Sequence, residues 1–254
     1  MLSPKELANE ACQIGLSKVT KRSNIALVSA ILAGMFIAFG YYGYIVVSSA
    51  FSGAILGKFI GACVFPVGLV IIIITGVDLF TGNCLVFLGF LDRKYCFLKV
   101  LKNLGIVYVG NLIGALFLAL LIYLSNMASN DSVKSFIIKV CMDKTSLSFI
   151  EALTRGILCN IAVAIAVYMS FAAKTVSGKV LTAFYPVMLF VLCGYEHSVA
   201  NMFILPLGYI LQSGNDITIL GIINNLIPVT IGNFIGGALI LPLAYYFIFV
   251  KKRD

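Results

Sequence analysis

Four stretches of this 254-residue chain carry no Lys, Arg, Asp or Glu: Ser23 through Gly57, Asn103 through Asn130, Gly156 through Ala173, and Ile217 through Val250. Two more intervals are nearly as bare. Phe59–Leu91 is broken only by Asp78, and Val180–Leu211 only by Glu196 and His197. A helix that crosses a hydrocarbon core needs about 20 mostly apolar residues. Six crossings therefore fit, at approximately 25–49, 59–90, 103–127, 152–173, 180–211 and 224–250. Transmembrane β-strands would alternate in polarity over short segments, which these runs do not. Hydrophobic residues make up 61% of the chain and charged residues 11%, against about 45–50% and about 25% in soluble domains. That leaves too little polar surface for a soluble enzyme, a disordered chain or a secreted disulfide scaffold. The expected fold class is an all-α integral membrane protein with six transmembrane helices.

The formal charge of +8 is an orientation signal. With six passes starting inside, 13 of the 18 basic residues fall on the cytoplasmic side, among them Lys18, Lys21, Arg22, Arg93, Lys94, Lys251, Lys252 and Arg253. Lys58, Lys134, Lys139, Lys144 and Arg155 fall on the other. This asymmetry puts both termini in the cytoplasm and makes nucleic acid an unsuitable partner. The first 22 residues include Lys5, Glu6 and Glu10 and lack a long apolar core, so they do not read as a cleavable signal peptide. Leu2, Leu7, Ala11, Ile14, Leu16 and Val19, with Ser3-Pro4 near the cap, instead predict a short amphipathic helix at the cytoplasmic interface. The plain alternative is a helix packed over the mouth of the bundle or against a neighbouring subunit, without a gating role. The seven cysteines, at 12, 63, 84, 96, 141, 159 and 193, form no CxxC pair. Cys63, Cys84, Cys159 and Cys193, in predicted spans, read as packing residues, and the odd number and irregular spacing of the seven argue against a disulfide framework or a structural metal site.

The second and fifth windows are too long for simple spanning helices. Each contains a polar interruption, Thr75 to Asn83 and Gly194 to Asn201. Backbone broken at membrane depth is tolerated only where protein or a water-filled passage satisfies its polar groups. Both windows are therefore expected to be a half-helix, a short non-helical stretch and a second half-helix. Asp78 and Asn83 are five apart, as are Glu196 and Asn201, and Gly110-Asn111-Leu112-Ile113-Gly114 resembles Gly232-Asn233-Phe234-Ile235-Gly236. Three spans per half imply two inverted repeats, 23–128 and 150–250, within one channel domain covering 1–254. Transport sites lie where such repeats meet. The glycines of the first two spans, Gly34 through Gly61, and Gly232, Gly236 and Gly237 of the last supply small faces for close helix packing.

Few polar groups remain to carry function. His197 is the only histidine, and an ionisable group at membrane depth ordinarily faces a cavity or a partner. Thr81 lies in the opposing interruption, with a hydroxyl that both donates and accepts. The two approach each other if the repeats cross at the centre. Asp78, Glu196, Asn83 and Asn201 either tie down the broken backbone or touch a substrate directly. Lys144, in a predicted loop at Cys141 to Thr145, either concentrates anions over the passage or is an ordinary solvated residue. No catalytic triad, metal cluster or phosphate loop accompanies them, so neither enzymatic activity nor a cofactor is expected.

Asp78-Leu79-Phe80-Thr81-Gly82-Asn83, Gly194 through Phe203 and Asn225-Leu226-Ile227-Pro228-Val229-Thr230-Ile231-Gly232-Asn233 strongly resemble the formate/nitrite transporter family. Arg155 through Asn160 and Gly110 through Gly114 resemble further segments of it, so the likeness covers nearly the whole chain. The resemblance implies an aquaporin-like fold, here without paired Asn-Pro-Ala motifs, in a homopentamer with one pore per protomer, in the inner (plasma) membrane. It implies that His197 and Thr81 form the pore centre, that Lys144 is the vestibule lysine and that Asn160 supports the centre. It also implies that Phe65, Leu69, Phe80 and Phe190 are the apolar constrictions. The expected function is a selective channel for small monovalent anions of weak acids. Gly82-Asn83 differs from the pair in some formate channels, which weighs against formate; the overall resemblance leans to the hydrosulfide-channel branch, so hydrosulfide is the favoured substrate, with formate and nitrite completing the set. The alternatives are a proton-coupled formate/nitrite transporter and a neutral-solute channel of aquaporin type.

Overall fold

Uncharged runs rich in Leu, Ile, Val and Ala leave the backbone in lipid no partner but itself, and the chain is helical almost throughout. The computed structural model describes residues 2–51 and 54–251 and contains no β-strand among them. Gly53, Lys252 and Arg253 lie outside these residues. The amphipathic segment is helix α1 (Pro4–Thr20), opened by a capping box in which Ser3 Oγ accepts the Glu6 N–H and the Glu6 carboxylate accepts the Ser3 N–H.

Among the described residues six helices are long and apolar enough to cross a membrane. The first is α2 (Ser23–Ala50). The second, Ile55–Thr75, consists of α3 (Ile55–Val64) and α4 (Val67–Thr75) joined through Pro66. After a gap come two short helices, α5 (Phe80–Asn83) and α6 (Val86–Leu91). The third span is α7 (Phe97–Leu124), followed by α8 (Asp131–Thr145). The fourth is α9 (Phe149–Ala172) and the fifth α10 (Val176–Cys193), followed after a second gap by α11 (Ser198–Leu211). The sixth runs Ile219–Val250 through α12 (Ile219–Phe234), a π-helical turn Ile235–Ile240, α13 (Leu241–Tyr245) and a second π-helical turn. Pro242, which donates no N–H, stands just after the first widened turn. The chain is a multi-pass integral membrane protein.

Two tightly packed helix pairs frame the bundle, α2 against α7 and α9 against α12. Small residues let them approach. A Cβ on Gly114 would collide with the Ile31 carbonyl, and one on Gly232 with that of Leu153. The outward faces are apolar, with Leu98, Leu124 and Ile150 largely exposed, as a lipid-facing surface requires. The segments 78–89 and 196–205, from within each gap into the helix that follows, are buried without interruption. One expectation needs correction. Lys144 stands in the last turn of α8 rather than in a loop. Val133, Ile137 and Cys141 recur every four residues and bury one face of that helix.

Candidate functional site

The two gaps have the same local design. Helix α4 ends at Thr75 and α10 at Cys193. Each is followed by a glycine in the left-handed region, Gly76 at φ 72° and Gly194 at φ 73°. A side chain disfavours that conformation, so glycine sets the turn out of the helix. Three non-helical residues follow before α5 begins at Phe80 and α11 at Ser198.

Two asparagines, from α7 and α12, bond freed backbone groups of both gaps, and Ser29 Oγ accepts the Asp78 N–H at 3.0 Å. Asn111 Oδ1 accepts the Phe80 N–H at 2.8 Å, and its Nδ2 donates to the carbonyls of Asp78 at 3.1 Å and Ala30 at 2.7 Å. Asn233 Oδ1 accepts the Ser198 N–H at 2.8 Å, and its Nδ2 donates to Glu196 at 2.9 Å and Gly156 at 2.8 Å. The residues expected to tie down the backbone work elsewhere. Asp78 meets Lys18 at 3.1 Å, pairs with Lys21, and accepts from Ser29 Oγ at 2.9 Å and Asn83 Nδ2 at 3.3 Å. Asn83 also donates to Asn103 at 3.0 Å, which donates to the Lys18 carbonyl at 3.1 Å. On the other side Glu196 meets Lys144 at 2.7 Å and accepts from Asn201 Nδ2 at 2.6 Å. Asn201 donates to Asn225 at 2.7 Å, and Asn225 to the Lys144 carbonyl at 2.9 Å. Each buried carboxylate thus has lysine and one asparagine amide against it, two lysines at Asp78 and one at Glu196, with a second asparagine behind the first, which removes most of the cost of a lone buried charge.

Thr81 and His197 meet at the centre. Thr81 Oγ1 lies 2.9 Å from His197 Nε2, and both residues are buried. His197 is also the N-cap of α11, its Nδ1 accepting the Ala200 N–H at 3.1 Å. An accepting Nδ1 carries no proton, so the ring is the neutral Nε2–H tautomer and donates to Thr81. The Thr81 hydroxyl proton is then free for another acceptor.

Two cavities flank this pair. One, of about 160 Å³, is lined by Lys144, Glu196, Asn201, Phe65, Phe190 and His197. The other, of about 360 Å³, is lined by Lys18, Asp78, Asn83, Leu69, Leu79 and Gly82. The Phe190 ring lies nearly parallel to the imidazole, 13° between planes and 5.9 Å between centroids, and Phe65 meets Phe190 edge-on at 5.6 Å. Leu69, one turn beyond Phe65, faces the second cavity. Phe80 lines neither; it packs edge-on against Tyr108 at 5.0 Å. Asn160 Nδ2 donates to the Asn233 carbonyl at 2.6 Å, so it bears on the centre through Asn233. Among the described residues there is no cluster of three metal-ligating side chains.

Sequence reasoning gave no role to Asn103, Asn111, Asn225, Asn233, Lys18, Lys21 or Ser29. One signal was there. Asn103 and Asn111 are eight apart, as are Asn225 and Asn233.

A six-span helix bundle with two polar-walled cavities around a buried hydroxyl–imidazole pair is a membrane transport protein. The family model described as "Formate/nitrite transporter" matches residues 5–247. The "Formate channel FocA" of Escherichia coli strain K12 is 34% identical over all of this chain and 96% of its own length. The "Uncharacterized transporter YrhG" of Bacillus subtilis strain 168 is 38% identical over 98% of this chain and 94% of its own. A solved "Pentameric formate channel with formate bound" superposes with a TM-score of 0.80 at 30% identity, covering 90% of this chain and 98% of that one. The chain belongs to the formate/nitrite transporter family, and it is not an enzyme.

These likenesses overturn the hydrosulfide preference, because the named relative and the solved structure are formate channels. The structure also supplies a physical reason. Asn83, whose pair with Gly82 weighed against formate, spends its amide on Asp78, Lys18 and Asn103 and makes no hydrogen bond to Thr81 or His197. It is a poor guide to what the centre selects.

Proposed function

We propose that this protein passes small monovalent oxyanions of weak acids, formate and nitrite above all, through a pore in each protomer. The observation that carries this is the Thr81–His197 contact at 2.9 Å, buried between two cavities that each hold a lysine–carboxylate pair. An anion entering either cavity meets positive groups, then an apolar constriction where a bare charge loses its hydration at large cost. Phe65 and Phe190 form that constriction on one side and Leu69 on the other. Between them stand the imidazole N–H and the threonine hydroxyl, two donors from which an oxyanion accepts.

The gaps at 76–79 and 194–197 are, in this reading, breaks in the second and fifth spans of two inverted repeats, 23–128 and 150–250, in an aquaporin-like arrangement. The matched asparagine and carboxylate networks support it. The basic asymmetry supports cytoplasmic termini in the inner (plasma) membrane, with Lys144 on the outer side and α1 on the inner. The likeness to a pentameric channel supports a homopentamer.

The test is flux into proteoliposomes of formate, nitrite, hydrosulfide, chloride and glycerol, measured in parallel between about pH 5 and 8. Formate and nitrite are expected to pass well above chloride and glycerol. Glycerol flux without anion flux would overturn the reading. A dependence of formate flux on an imposed proton gradient would assign coupled transport rather than a simple channel.

A further inference from the structure

The cavity on the Lys144 side holds three cations, and Lys144 is the one already compensated. Its ammonium pairs with the buried Glu196 carboxylate at 2.7 Å. Lys58 and Arg155 line the same cavity, both half-buried, and neither has a carboxylate within ion-pair distance among the described residues. Both sit against the chain break that carries His197. The Lys58 Nζ stands 3.9 Å from where a Cβ on Gly194 would lie, and the Arg155 carbonyl accepts the Glu196 N–H at 3.3 Å. Asp143 is the one further carboxylate in the lining, so the cavity keeps a net positive charge. Lys58 also borders an adjoining cleft of about 410 Å³ that carries Lys139, Ser132 and Ser135. A basic, hydroxyl-rich path thus leads toward it.

We propose that Lys58 and Arg155 form the anion-capture site of this cavity. They hold a small monovalent oxyanion ahead of the Phe65–Phe190 constriction while Lys144 stays neutralised by Glu196. This rests on the anion reading above. A guanidinium presents two parallel N–H groups that match the two oxygens of a carboxylate or nitrite. Lys58 adds a point charge at the cavity wall, and low-dielectric walls focus its field on the entering ion. Lys144, its charge matched by Glu196, contributes little to that long-range field.

The experiment measures formate uptake into proteoliposomes as a function of concentration, for the parent, Lys58→Gln, Arg155→Gln and the double variant. It is run at low ionic strength and again in about 1 M impermeant salt, where the screening length falls to about 3 Å. The double variant is expected to raise the half-saturating concentration about tenfold at low ionic strength and to leave maximal flux near that of the parent. The difference should collapse in high salt. Lys58→Arg is expected to keep the parental half-saturation, and Arg155→Lys to fall between the parent and Arg155→Gln, because an ammonium keeps the charge but not the two-pronged match. A double variant with parental half-saturation at both ionic strengths overturns the capture site, while uptake by the parent leaves the anion reading standing. A parent that takes up neither formate nor nitrite above empty liposomes overturns both.

Discussion

Asn111 and Asn233 hold the two chain breaks by the same three hydrogen bonds. Each accepts the N–H of the first residue of the resumed helix and donates to the carbonyl two residues earlier. Each gives its last proton to a neighbouring span, at Ala30 or Gly156. Among the described residues no other side chain bonds these groups, so the two amides hold the two gaps.

Replacing either asparagine by alanine leaves one buried N–H and one gap carbonyl short of a partner, at about 1–3 kcal/mol for each group left unsatisfied, while Ala30 and Gly156 lie within helices and keep their backbone partners. Asn111→Ala and Asn233→Ala should therefore lower the thermal unfolding midpoint in detergent clearly and by similar amounts. Asn9→Ala, on the exposed face of α1, should change stability by no more than about 0.5 kcal/mol. A midpoint for Asn233→Ala equal to that of the parent would mean that the gap finds other partners.

The central pair allows a cleaner separation of folding from transport. Asparagine is among the best N-cap residues, so His197→Asn should keep the cap of α11 and the fold while removing the Nε2–H that faces Thr81. Thr81→Val removes the other polar handle, and Thr81→Ser restores it. A hydrogen bond to a charged group contributes about 1.5–3 kcal/mol, and 1.4 kcal/mol is about tenfold. His197→Asn and Thr81→Val should each cut the ratio of formate to chloride flux by about tenfold or more, with Thr81→Ser near the parent. Unchanged flux and an unchanged pH profile in His197→Asn would remove the imidazole from the mechanism.

The spans were legible because absence of charge over long runs has one physical meaning, and the gaps because polar residues inside those runs stand out. The meeting of Thr81 with His197 followed from matching the two halves. What stayed hidden was long-range or amphipathic. Helix α8 reads as a loop because its exposed face carries Asp131, Lys134, Lys139 and Asp143, and only three buried positions betray the period. Lys18 and Lys21 lie about sixty residues before Asp78 is answered by them, and local sequence holds no trace of that pairing. Asn111 and Asn233 were visible as a repeated motif, but a buried amide in a spanning helix does not announce which backbone it serves.

The docking of α1 can be read through its cysteine. Cys12 is fully buried on α1, and burial pushes its thiol up to about 12. Cys141, buried on α8, is pushed up to about 12 for the same reason. A thiolate is the reactive species, and such shifts lower its fraction near neutral pH by roughly a thousandfold relative to a free cysteine. Cys96 is exposed between α6 and α7. In a Cys193→Ser background, a membrane-impermeant maleimide at about pH 7.5 should modify Cys96 and spare Cys12 and Cys141 until the protein is unfolded. Proteolysis and mass spectrometry would locate the adduct. With cytoplasmic termini, Cys96 should react in inverted vesicles and be protected in right-side-out ones; the opposite pattern would reverse the orientation. Rapid labelling of Cys12 in the folded protein would mean that α1 leaves the bundle, because neither its thiol nor the Lys18 and Lys21 contacts to Asp78 are compatible with a reagent reaching that face.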